Sequence, residues 1–241
     1  DEDRARREAE QLGERMWAGR EELIVEVADP AAAVKEAMAS EEFPVALMDF
    51  GDNIGGGSAG DSTFILEQLL QQKADGWVVT IWDPEAVQAC ASAGIGEQVS
   101  LQVGGKTDDM HGTTQSVGGR VRTLHDGSYE ETERRHGGGR YFDQGLTAVV
   151  AVDSGESGKG GLLVLNSVRA MPNSIHQITC VGIQPHQQKI MAAKGAVAPR
   201  AAYEPVSARV VEVDSGGATA IHRPQEEYER ARKSLYEWRA G

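Results

Sequence analysis

Asp52 and Asp61 lie close to a run of glycines in residues 49–63, which read Asp-Phe-Gly-Asp-Asn-Ile-Gly-Gly-Gly-Ser-Ala-Gly-Asp-Ser-Thr. Glycine permits positive φ and a close approach of the backbone to a ligand, and successive N–H groups before a helix can bind an anion or oxyanion. A phosphate-binding loop usually also carries a lysine, which this stretch lacks. Asp52 and Asp61 instead suit a metal, an ammonium or amide group, or proton transfer.

A purely structural role is the alternative for these residues. Asp61 or Ser62 would then cap the following helix, and Asp52 would stabilise a turn through its own backbone. For Asp61 alone both interpretations stay open. For the whole loop we favour a function, because three consecutive glycines give more flexibility than a simple connection needs.

The loop is predicted to join a buried strand at residues 45–48 to a helix at residues 61–72. A strand at 77–82, a helix at 84–93 closed by Gly94, and a strand at 99–103 follow. Asp83-Pro84-Glu85 is typical of a helix entry, since an N-cap carboxylate precedes a proline at the first helical position. Upstream, amphipathic patterns predict helices at 3–27 and 31–39.

The second half of the chain has a different pattern. Short alternating runs at 119–124, 147–152, 162–167 and 209–213 predict strands, most of them separated by glycine. The charged insert at 129–140 is predicted to be a solvated loop, residues 155–161 a hairpin or flexible turn, and residues 224–238 a terminal helix or extended arm. An α/β start followed by a mostly antiparallel sheet predicts the α+β class.

Composition excludes several classes of protein. The formal net charge is −13, so the surface repels phosphate backbones, and nucleic acid is not an expected partner. No apolar run of ~18 residues indicates a membrane span, and no apolar export signal is visible. Cys90 and Cys180 lack the spacing of a structural zinc site, so we expect reduced, largely buried thiols in a cytoplasmic protein.

The histidines do not form a recognisable zinc motif. None of them belongs to an HExxH sequence or a closely spaced pair on a helix, so no metal ligand is predicted in this chain. They are His111, His125, His136, His176, His186 and His222.

Several phrases, in order and spacing, resemble the C-terminal domain of microcystinase C-like (MlrC-like) metallopeptidases. The resemblance covers most of residues 30–220 and is concentrated in 44–119. The phrases are Asp52-Asn53-Ile54-Gly55-Gly56-Gly57 with Gly60-Asp61-Ser62-Thr63, then Ile81-Trp82-Asp83-Pro84-Glu85-Ala86-Val87, then Gly104-Gly105-Lys106 with His111-Gly112. The charged end of the chain departs from the family's pattern, which leaves the role of the tail open.

The resemblance implies a domain organisation and a cofactor. In this family an N-terminal domain carries the zinc ligands and the C-terminal domain completes the active-site cleft. Residues 1–29 would then be a linker helix from a preceding N-terminal domain, and residues 30–241 the MlrC-like C-terminal domain. Zinc is expected in the full-length protein and none in this chain.

The resemblance also assigns candidate roles to residues of this chain. Asp52 and Asp61 would support catalysis by orienting a metal-bound water or holding a substrate amine, while the amides of Gly55, Gly56 and Gly57 would bind a developing oxyanion. Further substrate-binding candidates are Asn53, Ser62, Thr63, Lys106, His111, Lys194 and Arg200. For Lys106 and His111 solvent exposure is an equal alternative, and for Lys194 and Arg200 it is the favoured one.

The leading hypothesis is a cleft-completing domain of a zinc-dependent peptidase or amidohydrolase that acts on small peptides, inactive when isolated. The N-terminal metal-binding domain and a small peptide would be its partners, with a homo-oligomer also open. One alternative is a non-catalytic module that binds a small anion or a peptide. The other is a structural or dimerisation domain, which leaves the acids and glycines of the loop unexplained.

Overall fold

The computed structural model describes residues 1–153, 160–222 and 229–230. Most of the turn predicted at 155–161 and of the tail predicted at 224–238 lies outside these residues.

The described residues form six α-helices and ten strands, with short 3-10 turns between some of them. The helices are α1 (Glu2–Ala18), α2 (Pro30–Ala39), α3 (Phe64–Gln71), α4 (Pro84–Ala93), α5 (His176–Thr179) and α6 (Arg200–Tyr203). The strands are β1 (Val45–Asp49), β2 (Trp77–Trp82), β3 (Gln98–Val103), β4 (Gln115–His125), β5 (Ser128–Glu130), β6 (Tyr141–Asp143), β7 (Thr147–Val152), β8 (Gly161–Asn166), β9 (Ile190–Ala193) and β10 (Arg209–Val213).

One mixed eight-stranded sheet, in the order β10-β1-β9-β2-β8-β7-β4-β3, organises the fold. The pairings from β10 through β8 are parallel, whereas those from β8 through β3 are antiparallel. The α+β class is therefore confirmed, but the second half of the chain is only partly antiparallel. Apolar alternation reports which strand faces are buried, not strand direction, so it could not show that β8, β9 and β10 insert beside β1 and β2.

Helices cover the parallel half of the sheet on both faces. Along β1, Val45 and Leu47 face the cluster that contains apolar residues of α2, α3 and α4. Ala46 and Met48 face the opposite cluster, which contains Tyr203 and other residues from α5 and α6. Burial on both faces explains why β1 is an uninterrupted apolar run before Asp49, and each large apolar side chain contributes about 1.5–3 kcal/mol to folding.

Two helices are shorter than their patterns predicted. The first, predicted at 3–27, ends at Ala18 before Gly19 and buries no residue. The domain role predicted for residues 1–29 stays a prediction. The other begins at Phe64 rather than at Asp61, because the backbone of 61–63 bonds to other parts of the chain instead of entering the helix.

The charged insert at 129–140 is not wholly a solvated loop. It begins within β5, which pairs with β6 directly after the insert, and Tyr129 stacks on Phe142. Glu131 is buried and accepts hydrogen bonds from Ser174 and Arg135, which attaches the insert to the body of the domain.

Burial also determines the state of the two cysteines. Cys90 is buried and Cys180 is half-buried, and both thiols are free. Burial raises the pKa of each thiol to about 11, so both are protonated near neutral pH. Among the described residues, no helix combines the length and apolarity needed to cross a membrane.

Candidate functional site

Polar side chains collect at one edge of the sheet, at the carboxyl ends of its parallel strands. Asp49 ends β1, Lys194 directly follows β9, and Asp83 directly follows β2. Ser215 lies just beyond β10, and Asn166 ends β8. Because β10, β1, β9, β2 and β8 are neighbours in parallel, these residues meet at the edge where open α/β sheets bind ligands.

A buried ion cluster forms the centre of this edge. Lys194 Nζ lies 3.2 Å from both Asp49 Oδ2 and Asp52 Oδ2, and donates to the Ser62 carbonyl at 2.7 Å. The Lys194 side chain is only 3% exposed, and both carboxylates are fully buried. All three donors of the ammonium therefore bind groups of the protein itself, so Lys194 is not available to a substrate carboxylate.

Both oxygens of the Asp52 carboxylate also bind groups of the protein. Its Oδ1 accepts from the Ser58 hydroxyl and the Gly60 N–H, both at 2.7 Å, and its Oδ2 accepts from the Ser62 N–H at 2.8 Å as well as from Lys194. Both oxygens are thus saturated by groups that shape the glycine loop. Asp52 thus stabilises the turn of the glycine loop, and neither of its oxygens is left to orient a metal-bound water or to hold a substrate amine.

Burial and charge act in opposite directions on the protonation of this cluster. Burial alone would lower the pKa of Lys194, but Asp52 and Asp49 outweigh it and raise that pKa. Burial would raise the pKa of Asp52, but Lys194 and the hydrogen bonds to Asp52 lower it below its ordinary value. Burial raises the pKa of Asp49, against opposition from Lys194. Lys194 is therefore a permanently charged anchor and not a general base or an amine nucleophile.

His111 connects the ion cluster to two further loops. Its Nδ1 lies 2.7 Å from Asp108 Oδ1, and its Nε2 lies 2.7 Å from Ser58 Oγ and accepts from the Ala218 N–H at 3.1 Å. This order of groups is that of a Ser-His-Asp triad. However, Ser58 and His111 are each 1% exposed and the Ser58 hydroxyl donates to Asp52, so the arrangement joins loops rather than attacking a substrate.

The turn formed by residues 55–57, the glycine turn, faces outward from the buried side chains of Asp52, Ser58 and His111. Gly55, Gly56 and Gly57 are exposed, and Gly57 has φ 101°, a conformation that favours glycine. The Gly56 and Gly57 N–H groups donate to Asn53 O and Ile54 O at 2.9 and 3.1 Å. Those two amides are consequently used within the turn, which argues against an oxyanion site built from three successive glycine N–H groups. The Asn53 N–H donates to Thr219 Oγ1 at 2.9 Å.

Asp61 lies on the other side of the loop and has one free acceptor. Its Oδ2 accepts from the Lys106 N–H, the Thr107 N–H and the Thr107 hydroxyl at 2.9, 3.0 and 2.9 Å. Its Oδ1 is buried and has no hydrogen-bond partner within the described residues. Asp61 does not cap α3, because these bonds lead to residues 106 and 107. The neighbouring Thr63 hydroxyl donates to Thr113 O at 2.7 Å.

The remaining cationic candidates are also paired. Lys106 Nζ bonds Asp83 Oδ1 and Glu85 Oε2, both at 3.0 Å, and all three residues line a pocket together with Asp61. Arg200 bonds Glu204 and Glu212, and no contact brings it to the ion cluster within the described residues. The structure brings Asp52, Asp61, Ser62, Lys106, His111 and Lys194 together at one edge of the sheet, whereas Arg200 has other partners.

Asp49, Ser58 and Asp108 are among the members of the site that were not singled out from the sequence. Asp49 could have been identified, because an acid at the end of a strongly apolar strand indicates a buried charge that needs a partner. The pairing of Ser58 and Asp108 through His111 has no comparable signal, because it joins two loops across 53 positions.

The described residues do not fit a zinc ion. No group of three or more His, Cys, Asp and Glu side chains in this part of the chain could hold a metal. In addition, the Lys194 ammonium occupies the position between Asp49 and Asp52 where a cation would bind.

The chain is similar in sequence to a known protein and in fold to a solved structure. Microcystinase C from a Sphingomonas species is 28% identical over 193 residues, which cover 79% of this chain and 36% of that protein. A crystal structure of a candidate metallopeptidase from Mesorhizobium sp. BNC1 has a TM-score of 0.75 at 23% identity, covering 87% of this chain and 41% of that one. At this identity the structural likeness shows the fold alone.

The chain thus spans well under half the length of these two relatives. Residues 47–230, most of the chain, match the model of the family described as MlrC C-terminus. This chain therefore belongs to the MlrC C-terminus family.

Proposed function

We propose that this chain is the cleft-completing C-terminal domain of a zinc-dependent peptidase or amidohydrolase that acts on small peptides. The observation that carries the proposal is the buried Asp49–Lys194–Asp52 cluster, which fixes the glycine loop at the carboxyl edge of the sheet. Within the described residues, Asp61, at the end of the same loop, has a free acceptor. Family membership and a relative named microcystinase C support the same conclusion.

The two halves of such an enzyme would divide the chemistry. Zinc would be bound by an N-terminal partner domain, because the described residues of this chain do not fit it. This chain would supply a rigid wall, with the glycine turn shaping the cleft and Asp61 binding a donor group of the substrate. The buried cluster keeps that wall in place before a substrate arrives, which lowers the cost of ordering it on binding. We place such a protein in the cytoplasm.

Joining and separating the two domains tests this function. The isolated chain should hydrolyse no small peptide and hold no stoichiometric zinc, whereas the chain joined to an N-terminal metal-binding domain should do both. Elemental analysis that finds one tightly held zinc per isolated chain would overturn the proposal that the N-terminal domain alone binds the metal. Absence of hydrolysis in a joined, zinc-loaded protein across a panel of small peptides would overturn the peptidase function.

A non-catalytic binding module is the second candidate, and the pocket beside Asp61 favours it specifically. The geometry does not favour an anion as its ligand, because Lys106, Lys194 and Arg200 are all paired with acids. Turnover distinguishes the binding module from the peptidase domain. When the joined protein is loaded with zinc, a binding module would leave its ligand unchanged, whereas a peptidase would hydrolyse it.

A further inference from the structure

A pocket of about 350 Å³ opens at the carboxyl end of β2. Its lining includes Asp61, Trp82, Asp83, Glu85, Lys106 and Thr107. Three of these side chains are carboxylates and one is an ammonium, so the lining carries a formal net negative charge. A pocket of this size accommodates a group as large as an amino-acid side chain.

Lys106 does not neutralise the whole pocket. Its ammonium is divided between Asp83 and Glu85, at 3.0 Å from each. Burial disfavours the charged form of Lys106, but the hydrogen bonds to Glu85 and Asp83 outweigh it and raise the pKa, so the lysine stays protonated. Asp83 is further satisfied by the N–H groups of Ala86 and Gly104, at 3.0 and 2.9 Å.

Asp61 is the carboxylate of the pocket that has no cationic partner within the described residues. Its side chain is 1% exposed and belongs to the pocket wall, and its Oδ2 is saturated by residues 106 and 107. Oδ1, in contrast, has no hydrogen-bond donor within the described residues. A buried carboxylate oxygen without a donor is costly, and an N–H group carrying positive charge is the partner that compensates it best.

We propose that this pocket binds an organic cation with N–H donors, a primary ammonium or a guanidinium, through Asp61 Oδ1. The pocket discriminates by hydrogen bonding as well as by charge. A quaternary ammonium of similar size offers no N–H and leaves Oδ1 unpaired, while an anion is repelled by the lining. This inference rests on the proposed function, in which Asp61 binds a donor group of the substrate, but the binding itself requires neither zinc nor a second domain.

Titration calorimetry of the chain with n-butylammonium and with tetramethylammonium tests the proposal. Butylammonium should bind saturably and at least about tenfold more tightly than tetramethylammonium, because only butylammonium can donate a charge-assisted hydrogen bond to Asp61 Oδ1. Asp61→Asn preserves an oxygen for the Lys106 and Thr107 donors but replaces the free acceptor with an NH₂ group, so butylammonium affinity should fall at least about tenfold.

Glu41→Gln is the matched control. Glu41 is exposed and precedes the amino end of β1, at the opposite edge of the sheet, so the variant removes the same charge without affecting the pocket. Equal binding of butylammonium by the wild-type chain and Asp61→Asn would overturn the proposal, as would equal affinity for the two cations or the absence of saturable binding.

A second measurement covers the case in which Asp61→Asn does not fold. In the wild-type chain, titration with butylammonium should shift the amide resonances of Lys106 and Thr107, whose N–H groups share the Asp61 carboxylate. Saturable binding that leaves these two resonances unchanged would place the cation elsewhere and contradict the assignment.

Discussion

The ammonium of Lys194 lies 3.2 Å from Asp52 Oδ2, and the two side chains are 3% and 0% exposed. The same ammonium lies 3.2 Å from Asp49 Oδ2. One buried cation thus compensates two buried carboxylates, and these three side chains hold β1, β9 and the glycine loop together. The structural integrity of the carboxyl edge therefore depends on Lys194.

Replacing Lys194 by methionine should lower the free energy of unfolding by about 3–5 kcal/mol, because it leaves two buried carboxylates without a counter-charge. Urea unfolding near pH 7 measures the change. Lys35→Met, at an exposed position of α2, is the control and should change stability by no more than about 0.5 kcal/mol. Similar losses in both variants would show that the ion cluster is not important for stability.

Lys194→Met should gain more stability than the wild-type protein as pH falls from about 8 to about 5. In the wild-type protein the pKa of Asp52 is lowered by folding, so its contribution is present above the unfolded pKa of about 3.9 and is lost as pH falls through the lower folded pKa. Burial already raises the pKa of Asp49 in the wild-type protein. Without Lys194, burial and mutual repulsion would raise the pKa of Asp49 further and that of Asp52 above its unfolded value. The variant should therefore become more stable as pH falls from about 8 to about 5. Parallel wild-type and variant curves across this interval would contradict the prediction.

Gly51 is required by a close approach between two loops. A Cβ added at this position would lie 1.7 Å from the Gly216 carbonyl oxygen, a backbone atom that cannot rotate away. Gly51→Ala should therefore destabilise the protein by at least about 2 kcal/mol, measured by thermal or urea unfolding. Gly118→Ala introduces its Cβ into open space and should have little effect. A Gly51→Ala variant as stable as Gly118→Ala would show that the loops separate easily.

His111→Ala should loosen the loops that the imidazole joins while the sheet stays intact. The Ala218 N–H would lose its acceptor, so its hydrogen exchange should become at least about tenfold faster, while amides of β7 keep their protection. Native-state exchange read by NMR resolves both sites. Unchanged protection at Ala218 would exclude the linking role of His111.

Local signals in the sequence predicted many of the elements. The strand at 77–82 and the helix at 84–93 have the predicted bounds, and the Asp83 side chain accepts from the Ala86 N–H as an N-cap should. Both features are encoded within a few consecutive residues. In contrast, β9 was not predicted, because its four residues become a strand only by insertion between β1 and β2.

The candidate site was harder to predict for the same reason. The position of Lys194 after an apolar run was visible in the sequence, but its partners Asp49 and Asp52 precede it by more than 140 positions. The sequence therefore suggested a solvent-exposed lysine or a cation for a substrate carboxylate, where the structure has a buried internal ion pair. The helix predicted from Asp61 illustrates the same limit, since residues 61–63 instead bond to Asp52, Lys194 and the loop at 105–113.

We propose that Asp61 belongs to the wall of a hydrolytic cleft. The most direct test compares kcat/KM for small-peptide hydrolysis by wild-type, Asp61→Asn and Glu41→Gln forms of the chain joined to its N-terminal domain, with zinc content measured in each. We predict a loss of at least about tenfold in Asp61→Asn, with zinc content unchanged and Glu41→Gln equal to wild type. Peptide hydrolysis by Asp61→Asn at the wild-type rate would contradict the claim.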